Sequence, residues 1–302
     1  MKVTVFGGAG FLGSHAADKL SEAGHEVTVF DLKQSPWLRL DQKMVLGDIL
    51  DEQAVARAMA GAEVVYNFAG VADLGEANEK PVETVSVNVL GTVKILEAAR
   101  QAMVRRFIFA SSLYVYGQSG GFYRLSKQAC ELYVEGYHHA YGLEYTILRY
   151  GSLYGPRTDH RNGIYRFVRE AMETGSITYS GTAEAVREYI NVEDAALCSV
   201  EILAPEFANT NIVLSGQQAM RVSDLFKMIG EVLGRPIGCR YLSDPRSVRY
   251  DITPYSFQPR LGKKMVPRCS VDLGQGLLII MEEVYRELHP DQNFEPAFPL
   301  PG

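Results

Sequence analysis

The stretch KVTVFGGAGFLG, residues 2–13, runs from a β-branched apolar segment straight into glycines and out into an apolar turn. KVTVF has the composition of a buried strand. Gly7, Gly10 and Gly13, with Phe11 and Leu12 between the last two, form a GxxGxxG pattern at a strand-to-helix junction. Glycines there permit a tight turn and close backbone approach, so a pyrophosphate can lie on the free N–H groups of the helix start. The bland alternative is a tight turn with no ligand. The next strand argues for the ligand, because Glu26–Phe30 is followed by Asp31, eighteen residues after Gly13. A carboxylate at that strand end accepts hydrogen bonds from both ribose hydroxyls and repels a 2′-phosphate. The expected cofactor is NAD rather than NADP.

Working outward, strand-like runs recur at Lys43–Leu46, Glu63–Asn67, Arg106–Ala110 and Glu144–Leu148, with helical patterns near 11–23, 51–60, 84–102 and 123–141. Alternating strands and helices predict βαβ units on a parallel sheet. The expected fold class is therefore α/β: a Rossmann-type doubly wound parallel sheet with a smaller α/β substrate-binding lobe. Residues 1–150 read as the NAD-binding domain. Residues 151–302 read mainly as the substrate lobe, with helices near 163–174, 193–203, 222–234 and 271–288, and with a segment at about 176–200 returning to the sheet. Two further strand ends are cofactor candidates. Asp48 and Ile49 follow the third strand, placing Asp48 to reach the adenine edge, although a turn or helix-capping role before Asp51 fits equally. Phe68, Ala69 and Gly70 end the fourth strand with small residues where backbone can run along a cofactor.

At 302 residues, two lobes are a reasonable expectation. The 47% hydrophobic and 22% charged composition is that of a globular protein. A formal net charge of −6 argues against a dedicated nucleic-acid binder. Cys130, Cys198, Cys239 and Cys269 are scattered, form no CxxC pair and suggest neither a disulfide framework nor a metal site. The chain enters its first strand at once, leaving no room for a signal peptide, and the apolar run LLIIM at 277–281 is too short to span a membrane. The expected location is the cytoplasm, with no membrane partner.

The chemistry falls in SSLYVYGQSGGFYRLSK, residues 111–127. Tyr123 and Lys127 are four apart on a predicted helix and share a face. A tyrosine is too weak an acid to act as a base near neutral pH unless a neighbouring ammonium stabilises its phenolate. Ser112 closes the fifth strand with a hydroxyl able to hold a substrate hydroxyl. These three side chains beside a nicotinamide suit hydride transfer at a secondary alcohol. A lone YxxxK is common by chance; this one lies on the helix after the fifth strand, close to the expected cofactor.

Together with NFAGVADLGE, VNVLGTVKILEAA, FASSLYVYG, LRYGSLYGPR and REYINVEDAA, these motifs resemble the extended short-chain dehydrogenases/reductases of the nucleotide-sugar epimerase/dehydratase family over nearly the whole chain. NFAG…GE…KP…VNVLGT in particular resembles UDP-galactose 4-epimerases. The resemblance implies that Ser112, Tyr123 and Lys127 are catalytic, and that Gly7, Gly10, Gly13, Asp31, Asp48 and Asn88 lie at the cofactor. It implies that Arg187, in VREYINVED, grips the nucleotide diphosphate of a UDP-sugar. It also implies a homodimer paired through helices 84–102 and 123–141. Arg157, Arg161, Arg166, Arg246 and Arg249 lie in or beside loops of the same lobe, where a guanidinium can hold phosphate oxygens or simply be solvated. The substrate-binding candidates are Ser112, Ser152, Asn162, Arg187 and Arg249.

Positions 113 and 114 narrow the reaction. Family dehydratases place an acid and a base there, and decarboxylating members a glutamate; this chain has Leu113 and Tyr114. What remains is oxidation followed by return of the hydride, most simply epimerisation at C4 through a 4-keto sugar. The alternatives are a net 4-ketoreductase or dehydrogenase, and a non-catalytic dinucleotide-binding regulator. Three departures bear on the sugar. The connection Gln118–Phe122 is much shorter than in the family, Ser152 stands where many members have asparagine, and Ala72 replaces a lysine of the 4-epimerases.

Overall fold

The computed structural model describes residues 1–242, 251–254 and 290. The expected helix near 271–288, the LLIIM run, Arg246, Arg249 and Cys269 lie outside them.

The chain opens with β1 (Lys2–Phe6), α1 (Phe11–Glu22), β2 (Glu26–Asp31), β3 (Lys43–Leu46), α2 (Glu52–Met59) and β4 (Val64–Asn67). Short helices α3 (Leu74–Glu79) and α4 (Pro81–Thr84) lead through a π-helical stretch, Val85–Leu90, into α5 (Gly91–Gln101). Then come β5 (Arg106–Ser112), a 3₁₀ turn at Leu113–Tyr116, α6 (Gly121–Tyr141) and β6 (Glu144–Tyr150). β1, β2, β4, β5 and β6 pair in parallel in the order 2-1-4-5-6, and β3 extends the β2 edge. The strand order reverses between β1 and β4, the crevice where open α/β sheets bind ligands beyond their carboxyl ends.

Alternate residues along the strands explain why both faces are covered. Phe6, Phe30, Val65, Phe107, Phe109 and Ile147 point to one face and pack with Val55 and Met59 of α2, Ile95 and Leu96 of α5, and Val134 of α6. Val5, Val29, Val64, Tyr66, Ile108 and Leu148 point to the other and pack with Ala17 and Leu20 of α1. A sheet buried on both faces reads as continuous apolar runs, as KVTVF and RFIFA do.

After β6 come β7 (Ser152–Tyr154), α7 (Gly163–Thr174), β8 (Ser176–Ser180), β9 (Val186–Asn191), α8 (Val192–Glu201), β10 (Thr210–Leu214), β11 (Ala219–Arg221), α9 (Val222–Val232) and β12 (Gly238–Leu242). The return to the large sheet differs from the expectation. β8 pairs with β12, and β9 with β7 and β11, in two small sheets. Ile177 and Tyr179 of β8 use their apolar face on Phe167, Leu225, Phe226 and Ile229 of the lobe. From the 176–200 segment, Ile190 and Ala195 pack on the large-sheet core, α8 lies along α1, and β10 supplies the seventh parallel strand beside β6. TNIVL is short and partly exposed, so it carries little strand signal of its own.

Candidate cofactor and catalytic site

The glycine loop is built as its spacing requires. Gly7 has φ +74°, and a Cβ there would lie 2.5 Å from the Ala69 nitrogen. A Cβ on Gly13 would lie 2.2 Å from the Gly7 carbonyl oxygen, so α1 packs against the loop only with glycine at that position. Gly10 caps α1 with extended backbone and no side-chain hydrogen bond, and the first turn holds no acidic residue. Helix-start amides are thus left to an anion, and the aligned peptide dipoles favour one there. Asp31 is tied to this loop: its Oδ2 accepts from the Ala9 nitrogen at 3.0 Å. An uncapped helix start, a cradle closed to any Cβ and a carboxylate at the second strand end fit a dinucleotide carrying a free ribose diol.

The neighbouring strand ends are more varied. Asp48 is exposed, and its Oδ1 accepts from the Leu50 nitrogen at 2.8 Å, which is the turn role raised from its sequence position. Capping of α2 falls instead to Asp51, which accepts from the Gln53 and Ala54 nitrogens. The Ile49 side chain is buried in the core, against Gly91. The Phe68 ring stacks on Tyr66 at 5.8 Å. Gly70, with φ +154°, leaves room for the Asn88 amide, whose Oδ1 would lie 2.8 Å from a Cβ there.

Asn88 sits in the π-helical stretch, a departure from regular helix that periodicity does not reveal. Its Oδ1 accepts from the Val71 nitrogen, and its Nδ2 donates to the Val71 carbonyl and to Ser126 Oγ. Ser126 Oγ in turn donates to the Tyr123 carbonyl at 2.7 Å. Asn88 therefore links the strand-four exit to the helix that carries Tyr123. Ser126 was not among the site candidates; its only signal was its place inside YRLSK.

Lys127 is buried, and its Nζ donates to the Ala110 carbonyl at 2.8 Å, two residues before Ser112. The ammonium lies 4.8 Å from the centroid of Phe109 and 5.7 Å from that of Tyr123. Burial pushes its pKa below the ordinary lysine value, while Cys130 and Glu131 act the other way. Ser112 is mostly buried, and its Oγ accepts from the Tyr114 nitrogen at 3.3 Å, opening the 3₁₀ turn. The Tyr114 ring meets Tyr123 edge-to-face at 6.3 Å. The strand end that bears Ser112, the turn that bears Tyr114 and the helix face of Tyr123 and Lys127 thus converge. Among the described residues, no group of three or more His, Cys, Asp or Glu side chains is placed to hold a metal.

The short connection is closed by two glycines with positive φ, Gly120 at +97° and Gly121 at +50°. A Cβ on Gly120 would lie 2.7 Å from the Tyr114 ring. Gly121 packs on Asn78 of α3, whose Oδ1 accepts from the Phe122 nitrogen.

The substrate candidates are more dispersed. Ser152 begins β7, half-buried. Asn162 caps α7, accepting from the Ile164 and Tyr165 nitrogens while its Nδ2 donates to the Leu153 carbonyl. Arg187 is buried on β9 and donates to the Val186 and Asp251 carbonyls and to Tyr179 Oη. Arg157 pairs with Asp18 of α1 at 2.7 Å and lies over Trp37, and Arg161 pairs with Asp159.

Comparison with known proteins finds that residues 3–213 match the NAD dependent epimerase/dehydratase family. A Methanocaldococcus jannaschii protein provisionally named UDP-glucose 4-epimerase is 31% identical over 253 residues, covering 77% of this chain and 82% of that one. A UDP-N-acetyl-alpha-D-glucosaminuronate decarboxylase of Bacillus cytotoxicus is 29% identical over 242 residues, covering 71% and 74%. Among solved structures, the Thermus thermophilus UDP-glucose 4-epimerase in complex with NAD superimposes with a TM-score of 0.77 at 26% identity, over 87% of this chain and 95% of that one.

Proposed function

The chain belongs to the NAD dependent epimerase/dehydratase family and takes NAD as its cofactor, and from that premise we propose that it is a nucleotide-sugar epimerase acting at C4 of a UDP-sugar. When bound, NAD accepts a hydride and returns it. Gly7, Gly10, Gly13, the start of α1 and Asp31 would hold it. The chain's own residues handle the proton. Tyr123 takes it from the C4 hydroxyl, Lys127 keeps the phenolate accessible, and Ser112 holds the hydroxyl oxygen in line. Tyr123 would give the proton back to the 4-keto sugar after it has turned, so that the two half-reactions cancel with no net redox. Arg187 is the proposed contact to the diphosphate.

The observation that carries this reading is the convergence of Ser112, Tyr123 and Lys127 beside a turn that holds Leu113 and Tyr114. Leu113 is fully buried and Tyr114 is engaged with Tyr123 and Gly120, so neither supplies the acid and base of a dehydration. The test is turnover on a panel of UDP-hexoses and UDP-hexuronates, with absorbance at 340 nm followed throughout. Product at the inverted C4 without NADH accumulation is expected. Stoichiometric NADH would replace the epimerase by a net oxidoreductase. Tyr123→Phe is expected to lower kcat by about 10²–10⁴-fold; unchanged activity would remove the assignment of the base.

We also propose a cytoplasmic homodimer. Val85, Leu90, Leu125, Leu132 and Tyr133 are exposed on the two helical stretches expected to pair, 84–102 and 123–141. Among the described residues, no helix is long and apolar enough to cross a membrane.

A further inference from the structure

Below the catalytic face of α6 lies a charge pair that the reaction does not use. Glu131 and Arg149 are both buried, 5% and 6% exposed, and meet through two bonds, Nη2 to Oε2 at 2.7 Å and Nε to Oε1 at 3.0 Å. The pair is extended at both ends. Ser111 Oγ donates to Glu131, and Arg149 Nη1 donates to Tyr116 Oη at 2.7 Å with the guanidinium over the Tyr116 ring. Ser111 and Tyr116 bracket Ser112 and the turn that follows it.

The same segment is bonded to α6 at three more points. Arg124 donates to the Gly117 carbonyl, Lys127 to that of Ala110, and Gln128 to that of Val115. Residues 124, 127, 128 and 131 form one helical face, so 110–117 is fastened along two turns of the helix that carries Tyr123. Of these fastenings only the Glu131–Arg149 pair also reaches β6, so it fixes strand, turn and helix to one another. Two charges are costly to bury. Apolar side chains of similar volume would fill the same space, so their presence here calls for something beyond packing.

We propose that Glu131, Arg149 and Tyr116 are positioning residues, which hold Ser112 and Tyr114 in register with Tyr123 and Lys127; this rests on the catalytic reading above. Glu131→Gln keeps an acceptor for Ser111 but leaves Arg149 buried without its counter-charge, and is expected to lower Tm by about 10 °C. Adding Arg149→Met removes the stranded charge and is expected to restore most of that loss. In the double variant, amides of residues 113–117 should exchange about 10-fold faster while those of α6 keep their protection. Its kcat should fall about 10-fold with KM unchanged. Tyr116→Phe, which deletes one acceptor and keeps the ion pair, should show the same pattern at about 3-fold, and serves if the double variant does not fold. Unchanged exchange over 113–117 would overturn the proposal, and so would a double variant with restored Tm and full kcat. If no UDP-sugar turns over, the substrate reading fails, while the exchange pattern still decides whether the pair holds the turn.

Discussion

At the scale of single residues, spacing put Tyr123 and Lys127 on one helical face, and the structure adds why the lysine stays where it is. Its ammonium is anchored on the Ala110 carbonyl and packed over Phe109, so the charge sits beside Tyr123 instead of reaching for water. Burial lowers the lysine pKa, while Glu131 one turn on opposes that shift. In Lys127→Met the proposed base, Tyr123, loses its neighbouring cation. Activity should then drop by about 10²-fold at neutral pH. Wild-type activity would mean that the ammonium only holds the Ala110 carbonyl. Residue identity alone was less informative for the lobe. Asn162 precedes GIYRF and caps a helix, and Arg157 has its carboxylate partner on α1, far away in sequence. A polar side chain shows its chemistry in the sequence but not its partner.

Among elements, α1, α2, α5 and α6 were legible because each buries an apolar stripe, and β1 to β6 because they are short apolar runs, whereas α3, which buries only Ala77, was not. The π-helical stretch at Val85–Leu90 was not legible either: 84–102 reads as one continuous helix, whereas in the structure Asn88 bonds Val71 and Ser126 from a π-helical turn. The Gly120–Gly121 turn showed only as a short connection; its reason lies in the neighbours. Gly142, which ends α6 at φ +73°, has nothing within 4 Å of an added Cβ, whereas at Gly120 the Tyr114 ring stands 2.7 Å away. Gly142→Ala should therefore cost only the left-handed backbone, about 1–2 kcal/mol. Gly120→Ala adds a clash in a packed site, for a total of about 2–4 kcal/mol, and displaces Tyr114. Urea unfolding of the two variants checks the ordering, and equal losses would show that the ring yields freely. On the outer face of α6, Leu125 and Leu132 are seven residues apart and both exposed. If they seal a dimer of roughly 1,000 Å² or more, Leu132→Glu should give a monomer in sedimentation at micromolar concentration. A monomeric wild-type protein would reject the dimer.

For the molecule as a whole, the large sheet was legible as far as β6, because its strands are continuous apolar runs separated by helical patterns. The closing strand β10 was not, since it falls between lobe strands β9 and β11 in sequence and is half exposed. What brings the chain back is visible only in three dimensions: α8 packs along α1, and the loop after β7 reaches the same helix. There His15 is 6% exposed, and its Nε2 bonds the Pro156 carbonyl at 3.1 Å, beside the Arg157–Asp18 pair. Burial lowers the His15 pKa below 6.5, and Arg157 lowers it further against the opposing effects of the Pro156 carbonyl, Glu193 and Asp18. The sign follows from proton binding. Below about 6.5 the unfolded chain binds a proton at His15 that the folded chain resists, so acidification favours unfolding. His25 is shifted in the same direction, also by burial, so only part of the wild-type pH dependence belongs to His15. His15→Gln keeps a donor for Pro156 but cannot titrate. Between pH 7.5 and 5.5 its urea midpoint should therefore fall less than that of wild type, and equal slopes would show that His15 protonates without disturbing the α1 junction.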